Sequence, residues 1–404
     1  MSLCLGETKI TPCIHSALLQ DKSVTITENG IQNVVADNQY NGLGQVTINT
    51  NVVGDLMEKN VNFYDYDGTL LYTYSKADFL ALTEMPENPT HTGLVAQGWN
   101  WTLADVKAYI TDYDELDIGQ IYITASGLSE FDIELTTETG LTFTLNMDGT
   151  KNWGDGTSDT NTSHTYTTAG KYTITCDGTT MTTSSNSALF GQSNSAWSGN
   201  GYNYSVTAVR FGNISTIGSY SIQYCYSLKY VLISNSITTI NQYAFAGSLF
   251  KFIIIPNSIT RISATGETFS NCYALANILL PNVITQIESS MFYNNYSLKK
   301  IIISNNITKI QAGAYSQDYS LNKVVFPASI TTLGSMAFAT CYALTLCDFT
   351  HSNSVVSVGS NTFNYNINKI LKIIVPDSLY SEWITTTNWV TLAEHIIKES
   401  DYNA

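Results

Sequence analysis

The sequence predicts a mainly β, multidomain protein, with small N-terminal β modules, an α+β unit, a β-sandwich and a C-terminal solenoid closed by a helical cap. Three observations carry that expectation. Between residues 209 and 376 a short unit recurs, with rows starting at 209, 231, 253, 278, 301, 324, 347 and 373, a spacing of 22 to 26 residues. Upstream, short runs alternate polar and apolar residues between turns built on Gly, Asn and Asp, the pattern of half-buried strands. At 404 residues the chain is also too long for one core. No single row can bury its apolar face alone, whereas stacked rows can, which is the logic of a solenoid.

Composition narrows the setting. Charged residues make up only 13% of the chain, while Thr, Ser, Asn and Tyr are abundant, which favours a β-rich exported or surface-displayed protein over a cytosolic enzyme. The net charge of −15 is uneven: residues 1–199 hold 7 Lys/Arg against 24 Asp/Glu (−17), and residues 200–404 hold 11 against 9 (+2). An acidic front half argues against nucleic acid or an anionic membrane as partner. The seven cysteines form no CxxC pair, so a zinc ribbon is excluded. Cys225, Cys272 and Cys341 share one repeat position; with rows ~4.8 Å apart they fall roughly 10 and 14 Å from one another, beyond disulfide reach, and read as small buried residues. Cys4 and Cys13 could pair, but nothing compels it. No secretory signal peptide and no apolar run of about 18 residues is visible, so no membrane insertion is expected, and lysis or virion assembly would be the route outside.

The front modules follow in order. In 1–53, Ser23–Thr27 and Gln45–Asn49 alternate, with turns at Glu28-Asn29-Gly30 and Asn41-Gly42. The stretch Lys22–Val52 resembles a segment of tail and baseplate-associated proteins of phages of gut Gram-positive bacteria, with Ala36-Asp37 where Pro-Asp is usual. After a linker at 54–60, residues 61–125 read as a small α+β module. It has a strand at Val61–Tyr64, a turn at Asp65–Gly68, a helix capped by Ser75, and a capping box at Thr102–Asp105. That box opens a helix to about Asp112, and Ile121–Ile123 returns as a strand. NVNFYDYDGTLLYTYSKADFLAL followed by GWNWTLADVKAYI again resembles those phage tail proteins. Trp99 and Trp101 read either as a sugar-stacking platform or as aromatic core.

In 128–180, Trp153–Thr157 (WGDGT), His164–Tyr166 (HTY) and Gly170–Ile174 (GKYTI) together resemble the PKD-type immunoglobulin-like fold, which implies a spacer or binding module rather than catalysis. Asp148, Asp155 and Asp159 do not have the alternate spacing of an EF-hand loop. Residues 181–205, rich in Ser, Asn, Gly and Thr, read as a junction.

The repeats occupy 206–376. In one row, Lys300–Ser304 is the strand, Ile301 and Ile303 point inward, Ile307 and Ile310 fill a corner, and Tyr315 fills the far side. The columns recur, from Val231/Ile233 to Ile373/Val375 on the strand and from Phe245 to Phe363 on the far side. Each row offers about five apolar side chains at roughly 1.5–3 kcal/mol apiece before entropy. The period lies in the leucine-rich-repeat range. Row six, VVFPASITTLGSMAFATCYALTL, resembles the BspA-type leucine-rich repeat, LxxIxIPxSVTxIGxxAFxxCxS. Rows one, two and five carry Gly or Ser for the strand-ending Pro, and rows three and seven carry insertions. That resemblance implies surface adhesion and ligand binding. The segment 377–404, with Asp377-Ser378 expected to cap a helix through Trp383, resembles the end cap of such repeats.

A search for chemistry returns little. The five histidines are scattered, and no HExxH, GxSxG, P-loop or dinucleotide fingerprint is present. Carboxylates in 61–160 leave a glycan-active enzyme open without singling out a pair. The expectation is a non-enzyme with no catalytic residue, metal or cofactor. The strand position between the inward residues faces away from the core. It reads Leu232, Ile254, Leu279, Ile302 and Val325 before breaking at Asp348, with Lys229, Lys251, Lys299, Lys300, Lys323 and Lys372 along one edge. The stripe could be usual for the repeat and partly shielded, could form an oligomer contact, or could be the ligand surface. The resemblances together imply a phage tail-associated adhesin that recognises a bacterial surface glycan or protein, with other virion tail proteins and a homo-oligomer as further partners. A surface adhesin of the bacterium itself is the alternative, and a glycan-active enzyme comes third. The location would be the virion tail or the cell surface.

Overall fold

A computed structural model describes residues 60–135, 141–183, 188–191, 203–364 and 371–402, together with four strands within residues 3–36. The expected strand at Gln45–Asn49 and the Cys4–Cys13 pairing lie outside the described residues. The chain divides into two compact units, one of residues 1–61 and 74–81, the other of residues 62–73 and 82–404.

In the first unit, β1 (Leu3–Leu5) pairs antiparallel with β2 (Thr8–Ile10), and β3 (Lys22–Thr27) with β4 (Gly30–Ala36). The second pair sets Thr27 opposite Gly30; the turn expected at Glu28-Asn29 lies outside the described residues. Ser75 Oγ accepts from the Asp78 amide (3.1 Å) and caps α1 (Lys76–Ala81).

The second unit holds everything else. Strands β5 (Asn60–Tyr64) and β6 (Leu70–Ser75), the greater part of each in this unit, form one sheet with β7 (Leu94–Trp99) and β8 (Leu116–Thr124) in the order β6-β5-β8-β7. Helix α2 (Leu103–Asp112) lays Val106, Tyr109 and Ile110 into the core. Its N-cap Thr102 accepts from the Asp105 amide (3.2 Å), the expected capping box.

Next come β9 (Ser129–Leu135), β10 (Leu141–Thr144), β11 (Lys151–Asn152), β12 (Ser158–Asp159), β13 (Ser163–Tyr166) and β14 (Gly170–Cys176). They form one sheet of β12-β11-β14-β9 and a separate β10-β13 pair. The three sequence motifs of this region meet in space. The His164 ring stacks on buried Trp153 (centroids 5.1 Å) and its Nε2 lies 2.7 Å from Asp155 Oδ2, while the Tyr166 hydroxyl donates to Trp153 O (2.7 Å). Asp155 and Asp159 accept from the Thr157 and Asn161 amides two residues on and so serve local turns, while Asp148 accepts from the distant Thr180 amide.

This β unit and the solenoid, expected as separate domains, share a sheet and a core. Strand β15 (Val206–Arg210) pairs antiparallel with β9 and parallel with the first solenoid strand, Tyr230–Leu232. Buried side chains run without a break from Phe131 to Ile396. The first turn of a solenoid has no predecessor to cover it, and β9 takes that place. Arg210 fastens the seam: its guanidinium donates to both oxygens of Asp132 (3.1 and 2.6 Å) and to the Tyr230 hydroxyl (2.5 Å).

The solenoid has about eight turns. The expected inward and far-side columns are buried. Phe245, Phe269, Phe292, Tyr315, Phe338 and Phe363 stack at successive centroid distances of 5.0, 5.7, 5.1, 5.3 and 5.7 Å. Rows three and seven stay in register despite their insertions. The expected strand at Lys300–Ser304 does not form; that turn is held instead at its corners, where the Thr308 and Gln311 amides donate to Thr285 and Ile287. At the C-terminal end, buried Trp383 and Trp389 pack on Phe349, and Trp389 Nε1 donates to Val356 O (2.7 Å). Asp377 does not cap the helix it precedes. Its carboxylate accepts from the Ser400 amide (3.0 Å) and ties the last helix, Glu399–Tyr402, to the cap.

The cysteine column is a polar ladder. Cys225, Cys272 and Cys341 are buried free thiols. Between them, Ser248 Oγ accepts from the Cys225 amide, Asn295 Oδ1 from Cys272, and Asp318 Oδ1 from Asn295. Each side chain thus satisfies the amide one turn earlier, which a buried amide requires. Asp318 is fully buried with Oδ2 unpartnered, and burial pushes its carboxyl well above the ordinary carboxylate range. A folded-state carboxyl held protonated stabilises the fold in acid, and that stability is lost as pH rises above 3.8 toward the raised folded value. Asp318→Asn, copying Asn295, is therefore expected to match the parent near pH 4 and exceed it at pH 8 by about 1–3 kcal/mol. Denaturant melts across that range would show it; parallel pH slopes would contradict it.

Candidate functional site

The outward face of the solenoid sheet is covered by the α+β module. Strand β8 is buried along nearly its whole length because it has two partners. Leu116, Ile118 and Tyr122 belong to the module's core, while Asp117, Gly119 and Ile121 meet the solenoid. Ile121 clusters with Phe252, Ile254 and Leu279, with Tyr64 packed beside them. Leu232 is 4% exposed, Ile254 5% and Leu279 3%. None of the three fates expected for this stripe holds for these residues; the chain itself covers them. The reason is the one that made the stripe conspicuous: stacked aliphatics on a sheet face gain from leaving water.

Two glycines allow the approach. A Cβ on Gly119 would lie 2.5 Å from Ile254 Cδ1, and one on Gly68, whose φ is +87°, would meet the Phe252 ring at 3.1 Å. A glycine inside a buried strand marks close approach by another part of the chain, and this was the sequence signal available for the covering. Polar contacts fix the register. Asp117, itself buried, accepts from Asn62 (3.0 Å), Asn277 (3.4 Å) and Lys300 (3.0 Å), and Lys300 also reaches Glu115 (2.5 Å). Trp101 is 3% exposed and donates to Leu280 O (3.0 Å), so it is a peg into the solenoid and not half of a sugar platform. Trp99 is half-buried, donates to Pro86 O (3.0 Å) and packs edge-on to Phe63.

The cover stops short of the last rows of the stripe. There a cleft of about 370 Å³ opens between the end of α2 and the solenoid. Ile302 and Val325, both half-buried, form its apolar floor. Lys299, Lys300 and Lys323 stand on the solenoid side; Asp112, Asp114 and Glu115 face them from the module. Tyr113 and His351 close one end with rings 4.5 Å apart, and the Tyr113 hydroxyl accepts from the Ala328 amide (3.3 Å). Burial raises the Tyr113 phenol, so it stays neutral and able to hydrogen-bond across the physiological range. An apolar floor with convergent polar groups of both signs suits binding. Among the described residues no group of three His, Cys, Asp or Glu side chains has metal-ligand spacing.

The structure thus divides the residues singled out from the sequence. Leu232, Ile254 and Leu279 are internal; Ile302, Val325, Lys299, Lys300 and Lys323 come together in the cleft. Lys229 and Lys251 are exposed away from it, and exposed Lys372 lies 5.3 Å from the Tyr402 ring centroid. The module's contribution, Tyr113 and its acidic neighbours, was missed because no repeat column points to a distant segment.

Residues 201–266 and 265–370 match the BspA type Leucine rich repeat region, in six copies, and the solenoid is a repeat of that type. Similar solved structures include a leucine-rich repeat protein from Bacteroides ovatus (25% identity over 40% of this chain and 47% of that one, TM-score 0.33). A leucine rich cell surface protein from Faecalibacterium prausnitzii (20%, 47% and 60%, 0.28) and the pneumococcal vaccine antigen PcpA (14%, 46% and 66%, 0.22) are two more. The chain spans about half to two thirds of their lengths. No curated protein matches it. Among the described residues no helix is long and apolar enough to cross a membrane.

A size swap tests the covering contact. Gly119→Ala should cost about 1–3 kcal/mol by overpacking. Combined with Ile254→Ala, which makes room, it should cost less than the sum of the two single changes by about 0.5–3 kcal/mol in chemical denaturation. Strict additivity would mean that the two sites do not touch.

Proposed function

We propose that the protein is a non-enzymatic recognition protein that binds a bacterial surface glycan or protein, and that the cleft beside Ile302 and Val325 contacts the ligand. The observation that carries the reading is the interrupted cover: β8 seals Leu232, Ile254 and Leu279 but leaves the next two rows open beside Lys299 and Lys323. The BspA-type repeat supports a recognition role in preference to catalysis. Within that role we favour a phage tail-associated receptor-binding protein, on the resemblance of Lys22–Val52 and of the α+β module to phage tail segments. A surface adhesin of the bacterium itself is the second reading, favoured by the repeat type alone.

The test uses the full chain, since cutting away the module would expose the stripe. Labelled protein should bind intact bacterial cells, and Val325→Asp should weaken binding at least about tenfold, or ~1.4 kcal/mol, with an unchanged melting temperature. Equal binding by the variant would remove the cleft from the account. Release of reducing ends from purified polysaccharides would replace recognition with hydrolysis.

A further inference from the structure

A second stack of rings runs along the outside of the solenoid. Tyr273, Tyr296, Tyr319 and Tyr342 stack face to face, with centroids 4.9, 4.6 and 5.2 Å apart. Three of them are exposed, at 38%, 39% and 54% for Tyr273, Tyr296 and Tyr342. They lie outside the buried core, whose own ring stack is the Phe245–Phe363 column. Row two closes with Leu249 in the same place, so the turn does not need an aromatic there. The rungs are pinned: Ser297 Oγ donates to Tyr273 O (2.7 Å) and Ser320 Oγ to Tyr296 O (2.6 Å). Beside them, Asn294 donates to Asn271 (2.8 Å) and Gln317 to the Tyr293 hydroxyl (2.8 Å). Lys299 follows Tyr296 by three residues and Lys323 follows Tyr319 by four; both are exposed, and neither forms an ion pair among the described residues.

We propose that this ladder, together with Lys299 and Lys323 on the adjoining rim of the cleft, forms a further recognition surface that binds a linear acidic polysaccharide. Phenol hydroxyls and carboxamides are partners for sugar hydroxyls, and pre-ordered tyrosines lose little conformational freedom on binding. One rung per turn gives a regular series, which fits a polymer of like units better than a compact ligand. The unpaired ammonium groups supply charge-assisted hydrogen bonds to a carboxylate on each of several units. The proposal rests on the recognition reading above and names the ligand class for it.

Polygalacturonate and its fully methyl-esterified form, which share a backbone and differ in charge, are the probes. The full chain should bind polygalacturonate at least about tenfold more tightly than the ester at low salt, and the difference should shrink as ionic strength rises past about 0.1 M. Tyr296→Ala/Tyr319→Ala should weaken binding to both polymers at least about tenfold. Tyr296→Phe/Tyr319→Phe, which keeps the stack, separates lost hydroxyls from any loss of fold and should also weaken both. Lys299→Gln/Lys323→Gln should abolish only the preference for the acidic form. A chain that binds cells but neither polymer, or whose tyrosine variants bind the polymers like the parent, overturns the proposal and leaves the recognition reading standing. A chain that binds the polymer through the ladder but binds no cells overturns the recognition reading instead.

Discussion

A solenoid of short turns leaves apolar surface uncovered at its first turn, at its last turn and, here, along the outward face of its sheet. The third is the constraint on which the rest depends. Leu232, Ile254 and Leu279 would stand in water if the turns were alone, and β8 is built to lie on them. Its glycine brings the strands into contact, Ile121 fills the space beside Phe252, and Asp117 gathers three donors so that a carboxylate can be buried in the seam. The α+β module is therefore part of the solenoid's core economy and cannot be read as a detachable tether.

The two ends are closed by different means. At the start, β9 and β15 extend the solenoid sheet into the neighbouring β unit, with Arg210 paired to Asp132 across the join. At the finish, the expected cap forms from Trp383 and Trp389, and the strand Ile396–Lys398 adds to the last row in parallel. Inside, the Phe ladder supplies dispersion and apolar burial, and the Ser248, Asn295 and Asp318 ladder satisfies amides that the turns would otherwise leave buried and unpaired.

Periodicity made the interior legible. Ile237, Ile240 and Phe245 recur with their counterparts at fixed offsets, and a fixed offset in a stacked fold means a shared column. The same reasoning located the outward stripe and the lysine edge. It could not say what covers the stripe, because the covering residues sit more than a hundred positions away in a segment with no repeat. Gly119 within LDIGQIYIT was the one local clue: a strand with a glycine and no polar face is buried on both sides. Trp101 was ambiguous for a related reason, since a peg into a neighbouring surface and an exposed platform have the same local sequence. The missing strand at Lys300–Ser304 shows the limit of pattern from the other direction: its residues match the column, yet the neighbouring corners carry the turn's hydrogen bonds.

The functional reading follows from where the cover ends. Sealing most of the stripe and leaving its last rows open turns a general hazard, exposed aliphatics on a sheet, into a bounded cleft lined by polar groups from two parts of the chain. Zero-length carbodiimide cross-linking tests that arrangement most directly, because it joins only amines and carboxylates already in contact. The account predicts a major cross-link between Lys300 and Glu115 or Asp117, found by peptide mass spectrometry and lost in Gly119→Leu. Absence of that cross-link from the parent chain, with exposed Lys299 and Lys323 still reactive, would contradict the covering of the solenoid face and with it the cleft.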